Sequence, residues 1–211
     1  MRTLHLDDAT ALSDATAALQ GGQLIIVPTD TVYGLAAQPE HPAAVEAIYR
    51  AKDRPASVHL PIMAASLDQV AELGVELSPA AHRLAERWWP GPLTMALGFH
   101  PGAARPSWLA GRDEVAVRIP GHDFLLDLLA RTGPLLVTSA NQHGSVTPPS
   151  AADAADSLAS EVTLLIDGGI LTSVPSTLVN LRTSPPAVER EGAIGINEIS
   201  AVANAAANGA A

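Results

Sequence analysis

The only lysine of this 211-residue chain lies in a cluster of cations that suits phosphate binding. Eleven of the twelve basic residues are arginine, and Lys52 lies between Arg50 and Arg54 in a chain of formal net charge −10. In an extended segment these three side chains would point to one side, where arginine forks and a lysine point charge fit a polyphosphate. The alternative is a helix end that places cations against the C-terminal dipole, and charge alone favours it.

Polar residues directly follow two apolar stretches that predict buried strands. The stretch 24–27 leads into Pro28-Thr29-Asp30-Thr31-Val32-Tyr33-Gly34-Leu35, and the stretch 135–138 leads into Ser139-Ala140-Asn141. Loops at the carboxyl ends of strands commonly hold ligands in α/β folds, and short hydroxyl and amide groups suit phosphate or carboxylate oxygens. Local turns, in which Thr, Asp or Asn bond their own backbone, are the alternative.

One arginine interrupts an apolar strand candidate. Arg118 lies within Val115-Ala116-Val117-Arg118-Ile119, and an unpaired buried charge is costly. It therefore needs an anionic partner, either a structural Asp or Glu or the carboxylate of a ligand. Two further polar segments adjoin late strand candidates, Pro175-Ser176-Thr177 and Glu189-Arg190-Glu191-Gly192.

Several classes of protein are excluded by what the sequence lacks. Without cysteine there is no disulfide scaffold, thiolate metal site or cysteine nucleophile. The phosphate-loop, dinucleotide and nucleophile-elbow motifs are also missing, and the seven scattered histidines predict no protein-built metal site. The acidic balance opposes broad nucleic-acid binding. With no signal peptide and no apolar run of about 20 residues, we expect a cytoplasmic protein that does not contact the membrane.

Helical and strand patterns alternate, which predicts a single α/β domain over residues 1–200 with a mixed sheet. Ser66 and Ser78 are predicted N-caps of helices. Residues 201–211 form an Ala/Asn-rich tail that is either a frayed helix or disordered. Predicted helices cover 7–19, 42–51, 124–130 and 150–158, and predicted strands cover 24–27, 60–63, 93–97, 115–119, 135–138, 162–166, 177–181 and 187–190.

Together these segments resemble the YrdC-like family of threonylcarbamoyl-AMP synthases, in its short single-domain form. The resemblance rests on motifs in a fixed order between residues 28 and 192, each weak alone and specific as a set. They are Pro28 to Leu35, Lys52-x-Arg54-Pro55, Trp89-Pro90-Gly91-Pro92-Leu93-Thr94, Val117-Arg118-Ile119-Pro120, Ser139-Ala140-Asn141, Pro175-Ser176-Thr177 and Arg190-x-Gly192.

The resemblance implies a twisted mixed sheet flanked by helices around a concave, positively charged cavity. It also implies a nucleotidyltransferase that converts L-threonine, bicarbonate and ATP into threonylcarbamoyl-AMP and pyrophosphate. Mg²⁺ would accompany ATP. The product would serve the threonylcarbamoyladenosine modification of tRNA, completed by a separate transferase complex.

Roles carry over by position. Thr31, Arg118, Ser139 and Ser176 match threonine-binding residues, and Arg118 would pair with the threonine carboxylate. The resemblance assigns Lys52 and Arg54 to the phosphates and to catalysis. It places Ser139, Asn141, Arg190, the main chain near Glu114 and a wall formed by Tyr33 on the nucleotide side. The sequence departs from the family pattern at Val58, Met63 and Pro149, so contacts to adenosine are not transferred there.

Two other functions fit the same resemblance. A binding module for tRNA or double-stranded RNA would use the basic cavity, although the net charge of −10 opposes wide phosphate contact. A carbamoyl-transfer module of a metalloenzyme maturation factor shares this domain, but it occurs within long multidomain chains.

Overall fold

The computed structural model describes residues 1–109, 111–158, 161–171 and 174–205. Within these ranges, no helix combines the length and apolar character needed to cross a bilayer. The helices are α1 Ala11–Gln20, α2 Pro42–Ala51, α3 Leu67–Glu72, α4 Pro79–Trp88, α5 Asp123–Thr132, α6 Ala151–Leu158 and α7 Ile196–Ala203. The strands are β1 Arg2–His5, β2 Leu24–Val27, β3 Gly34–Ala37, β4 Ile62–Met63, β5 Leu93–Gly98, β6 Glu114–Arg118, β7 Leu135–Ser139, β8 Val162–Asp167, β9 Thr177–Asn180 and β10 Ala187–Arg190.

The described strands join one mixed sheet in the order β1-β8-β2-β3-β7-β4-β6-β5-β9-β10. The β1–β8, β2–β8, β4–β6 and β5–β9 pairs are parallel, and the other pairs are antiparallel. Helices pack on both faces of this sheet. The predicted α/β class with a mixed, helix-flanked sheet is therefore confirmed.

Alternating side chains of the central strands supply two separate cores, because successive residues of a strand point to opposite faces. Ile26 and Leu35 pack in the larger cluster, which includes buried residues of α2, α4, α6 and α7. Ile25 and Ala36 pack in the smaller cluster with α1 and α5. The apolar run at 24–27 is buried along its whole length for this reason.

Local signals set several helix starts. The hydroxyls of Ser66 and Ser78 accept hydrogen bonds from the amides of Gln69 (3.3 Å) and Ala81 (3.2 Å), so both predicted N-caps are confirmed. The first helix begins later than predicted, at Ala11 rather than at residue 7, because the preceding residues form turns.

The sequence pattern predicts no strand at residues 34–37, but Gly34–Ala37 forms strand β3. Gly34–Ala37 is fully buried between β2 and β7. A Cβ on Gly34 would lie 2.6 Å from Cγ1 of Val137, so only glycine allows these strands to approach. Glycine and alanine are weak strand formers, which is why the pattern did not indicate a strand.

Helix α7 crosses the predicted domain boundary at residue 200. Its last carbonyls, those of Val202 and Ala203, accept hydrogen bonds from Arg83 of α4 at 3.1 and 2.5 Å. A cation at this end also complements the helix dipole. Residues 201–203 of the predicted tail are therefore helical, and residues 206–211 lie outside the described residues.

Candidate active site

A cavity of about 710 Å³ lies over one face of the sheet. This volume is typical of sites for small molecules and cofactors. Alternate residues of two strands form part of its wall, Thr94 and Ala96 of β5 and Ala116 and Arg118 of β6, and the small alanines leave room above the sheet. Strand β7 adds residues 137–139. The cavity thus extends across strands rather than only at their carboxyl ends, where the sequence had placed ligands.

The cavity collects most of the predicted site residues from segments far apart in the chain. Nine of the ten line it, and Lys52 does not. Those nine are Thr31, Tyr33, Arg54, Glu114, Arg118, Ser139, Asn141, Ser176 and Arg190.

The buried arginine has a carboxylate partner within the protein. Arg118 is 3% exposed, and its Nη2 donates to Oδ1 of Asp30 at 2.6 Å. Its Nη1 donates to Oγ1 of Thr31 at 3.0 Å, and its Nε donates to the carbonyl of Gly91 at 3.0 Å. Burial lowers the pKa of Arg118, and the charge of Asp30 opposes that shift. Of the two partners considered from sequence, the structural carboxylate is present.

Donor counting shows what remains available on this guanidinium. An arginine carries five N–H donors, and the contacts among described residues use three of those on Arg118. Two N–H groups are left on a side chain that lines the cavity. They suit a ligand carboxylate, for which paired N–H donors are a strong and directional match.

Two pairs of hydroxyl groups line the cavity, and the first pair contacts Arg118 through Thr31. Oγ1 of Thr31 lies 3.0 Å from Oγ1 of Thr29, and Oγ of Ser176 lies 2.8 Å from Oγ1 of Thr94. All four side chains belong to residues that line the cavity. This end of the cavity therefore combines one guanidinium with several short donors and acceptors, which suits a small polar amino acid.

Two more guanidinium groups line the cavity with unused donors. Arg54 donates from Nε to the carbonyl of Val58 at 3.1 Å and from Nη2 to that of His59 at 2.5 Å. Arg190 uses Nε and Nη2 on the carbonyl of Ser176, at 3.2 and 2.9 Å. Each keeps at least two N–H groups free among the contacts of the described residues. Burial lowers the pKa of both, and Arg118 lowers that of Arg190 further, which indicates concentrated positive charge.

Lys52 does not meet the expectation that its ammonium faces phosphates. The side chain is 1% exposed, and Nζ donates to the carbonyls of Ser139 and Asn141, each at 2.5 Å. It also lies 3.4 Å from Oδ1 of Asn141. Burial, and secondarily the charge of Arg54, lowers the pKa of Lys52 to about 8.

The segment that follows β7 is held by its own side chains. Nδ2 of Asn141 donates to the carbonyls of Ser145 (2.6 Å) and Gln142 (2.9 Å), so its amide hydrogens are used within the loop. The hydroxyl of Ser139, in contrast, makes no hydrogen bond to the described residues and belongs to the cavity wall. Ser139 can therefore contact a ligand directly, while Asn141 mainly shapes the loop.

Tyr33 and Glu114 line the cavity but have partners elsewhere. The Tyr33 hydroxyl donates to the carbonyl of Gly169 at 2.7 Å and accepts from the amide of Gly168 at 3.0 Å. Burial raises the pKa of Tyr33 to about 12. The Glu114 carboxylate binds Nη1 of Arg182 at 2.9 Å. The phenol thus anchors the turn after β8, and Glu114 can offer mainly its backbone to a ligand.

The chain is similar to known proteins over most of its length. Residues 17–192 match the Sua5/YciO/YrdC family model, described as "Telomere recombination". The chain belongs to this family. It is 38% identical over 190 residues to the threonylcarbamoyl-AMP synthase of Pyrococcus abyssi, covering 89% of this chain and 56% of that one. It is 35% identical to the enzyme of the same name from Chromohalobacter salexigens, covering 84% of this chain and 96% of that one.

A solved member of the Sua5/YciO/YrdC family has the same fold. The structure of Pyrococcus abyssi Sua5 complexed with L-threonine superposes with a TM-score of 0.85 at 35% identity, over 96% of this chain and 61% of that one. The chain spans about half the length of two of the curated relatives that it matches, the threonylcarbamoyl-AMP synthases of Pyrococcus abyssi and Bacillus subtilis.

Sequence reasoning missed two features of this family site. Asp30 was part of the polar segment after β2, but no role was assigned to it, and its pairing with Arg118 spans 88 positions. His59 lines the cavity, with Nδ1 4.0 Å from Oε1 of Glu114, and burial lowers its pKa. The Thr-Asp-Thr run at residues 29–31 was a signal for the role of Asp30. Nothing in the local sequence pattern indicated that His59 lines the cavity.

The described side chains provide no ligand set for a resident metal. Among the described residues, no group of three or more His, Asp or Glu side chains is placed to hold an ion. The cavity-lining carboxylates are already engaged, Glu114 by Arg182 and Glu189 by Nδ2 of Asn180 at 2.7 Å. These residues do not fit a resident metal site.

Proposed function

We propose that this chain synthesises threonylcarbamoyl-AMP from L-threonine, bicarbonate and ATP, and releases pyrophosphate as a nucleotidyltransferase. The observation that carries the proposal is one cavity lined by three arginines with unused donors, of which the most buried lies among hydroxyls. The names of the relatives support the same reaction. The product would feed the tRNA modification named above.

The Arg118 end of the cavity is assigned to threonine. Its two unused N–H groups would hold the carboxylate, and the hydroxyls of Thr31, Ser139 and Ser176 would orient the amine and side-chain hydroxyl. Because Asp30 already neutralises Arg118, this end would accept the zwitterionic amino acid without leaving a buried net charge. The Pyrococcus relative was solved as a complex with L-threonine, which supports threonine as a ligand of this chain.

Arg54 and Arg190 are assigned to the triphosphate. The threonine ammonium would first lose a proton to solvent, and the neutral amine would then attack the bicarbonate carbon with loss of water, which gives a carbamate. A carbamate oxygen would then attack the α-phosphorus, and pyrophosphate would leave. No protein nucleophile is needed, so the cavity would act by alignment and by positive charge on the developing phosphate oxygens. Mg²⁺ would enter with the ATP phosphates, since the described residues of the cavity offer no carboxylate cage.

Threonine-dependent release of pyrophosphate tests the proposal. The full chain is incubated with ATP, bicarbonate and threonine, and with serine or no amino acid as controls. We expect pyrophosphate only when threonine is present. The adenylate formed with it should be detectable by mass spectrometry. Release that is independent of the amino acid would refute the assignment. Tight, salt-dependent binding of tRNA without such release would favour the RNA-binding alternative.

A further inference from the structure

The ammonium of Lys52 has no donor left for a substrate. A lysine ammonium carries three N–H groups, and three oxygens of the protein surround Nζ: the carbonyls of Ser139 and Asn141 at 2.5 Å and Oδ1 of Asn141 at 3.4 Å. The arginines of the cavity differ, since each retains free N–H groups. A phosphate could reach Nζ only by displacing one of these acceptors. The two on Asn141 are buried, and an unsatisfied buried acceptor is costly.

The main chain around Lys52 is bound to the same loop. The carbonyl of Lys52 accepts a hydrogen bond from the amide of His143 at 2.9 Å, and the carbonyl of Ala51 accepts one from Nε2 of Gln142 at 2.9 Å. The end of α2 therefore holds residues 139–145 through both backbone and side chain. Of that segment, Ser139, Asn141 and Ser145 line the cavity.

We propose that Lys52 is a positioning residue that sets the shape of the Ser139–Ser145 loop, and that it does not contact the phosphates. The inference rests on the proposed function, because the loop is a wall of the proposed nucleotide and threonine site. The ammonium is used here as a three-way hydrogen-bond donor inside the protein. Arg54 and Arg190 supply the positive charge that the triphosphate meets.

Comparing ATP with AMP separates positioning from phosphate contact. Binding of each nucleotide to the full chain is measured by calorimetry for wild type, Lys52→Met and Lys52→Gln, and hydrogen exchange of residues 139–145 is measured before nucleotide is added. Methionine keeps the length of the side chain and removes every donor, whereas glutamine restores two. Arg54→Met is the matched control, since it removes a cavity cation with free donors.

For Lys52→Met we expect faster exchange in the loop and a similar loss of affinity for ATP and AMP, about 10- to 100-fold, the range of one charge-assisted hydrogen bond. Lys52→Gln should give loop exchange rates and nucleotide affinities between those of Lys52→Met and wild type. If the methionine variant does not fold, Lys52→Gln is compared with wild type instead. Arg54→Met should leave loop exchange unchanged and weaken ATP more than AMP.

Two results would overturn the inference. One is a Lys52→Met protein that loses affinity for ATP but not for AMP, with unchanged loop exchange, which is the pattern of a direct contact to the β- and γ-phosphates. The other is a variant with no change in either measurement. A wild-type protein that binds neither nucleotide would refute the proposed function instead, and loop exchange would still decide whether Lys52 holds the loop.

Discussion

Replacing Asp30 by asparagine removes the only carboxylate that the structure places against the Arg118 guanidinium in the described residues. The Nη2–Oδ1 distance is 2.6 Å, and the two side chains are 4% and 14% exposed. The Asp30→Asn change keeps the shape and one acceptor oxygen but leaves a buried cation without its counter-ion. Breaking a buried pair by removing one partner costs about 3–5 kcal/mol, and the remaining acceptor places this change near the lower end.

A loss of about 3 kcal/mol corresponds to a fall in Tm of about 6–12 °C for a chain of this size. Asp113→Asn is the matched control. It makes the same change in an ion pair with Arg105 whose side chains are 39% and 68% exposed, where at most about 1 kcal/mol is expected.

Thermal melts and urea titrations of both variants measure the difference in the free energy of unfolding. We also expect a higher KM for threonine in Asp30→Asn, because Asp30 orients the guanidinium that would receive the carboxylate. Equal losses in the free energy of unfolding would show that the buried Asp30–Arg118 pair stabilises the fold no more than the exposed Asp113–Arg105 pair does. The reasoning about Arg118 would then be wrong.

Three other predictions follow from single contacts. Because the folded pKa of Lys52 is about 8 against 10.5 when unfolded, its contribution to the free energy of unfolding should rise from pH 8 to 10.5 as the proton is lost. Nucleotide affinity measured over the same range should fall, and a parallel rise of both would contradict the positioning role. Tyr33→Phe should lower the free energy of unfolding by about 1–3 kcal/mol in urea titrations, since it removes two hydrogen bonds to the 168–169 turn, and should leave the KM for threonine unchanged. Gly34→Ala should cost about 1–3 kcal/mol, because the added methyl would lie 2.6 Å from Val137, and a neutral result in the same titrations would mean that β3 shifts freely.

The sequence predicted the fold class and the cavity residues for different physical reasons. Apolar runs such as 24–27 are local signals, so the main strands could be recognised without knowledge of their partners. The cavity residues were recognised through the resemblance to a family whose site residues are known to lie together. Strand β3 escaped both approaches, since its small residues make sense only between two close neighbours.

The direction of a charged side chain was harder to predict than its position. Lys52 and Arg54 are two residues apart, yet one donates only to the protein and the other retains free donors toward the cavity. This difference depends on which carbonyls the β7 loop presents, and these come from residues 87 to 89 positions away from Lys52. The partner of Arg118 was left undecided for the same reason.

The cavity wall runs in sequence from Thr29 to Arg190, and its last contributor lies on the edge strand β10. A nascent chain emerging from the ribosome would therefore expose Arg118 and the hydroxyls of Thr29 and Thr31 well before β9 and β10 close the far side. Fragments cut anywhere between these points would lack part of the wall. If the chain is expressed as two fragments divided before β9, the cavity should form only when β9 and β10 pair with the rest of the sheet.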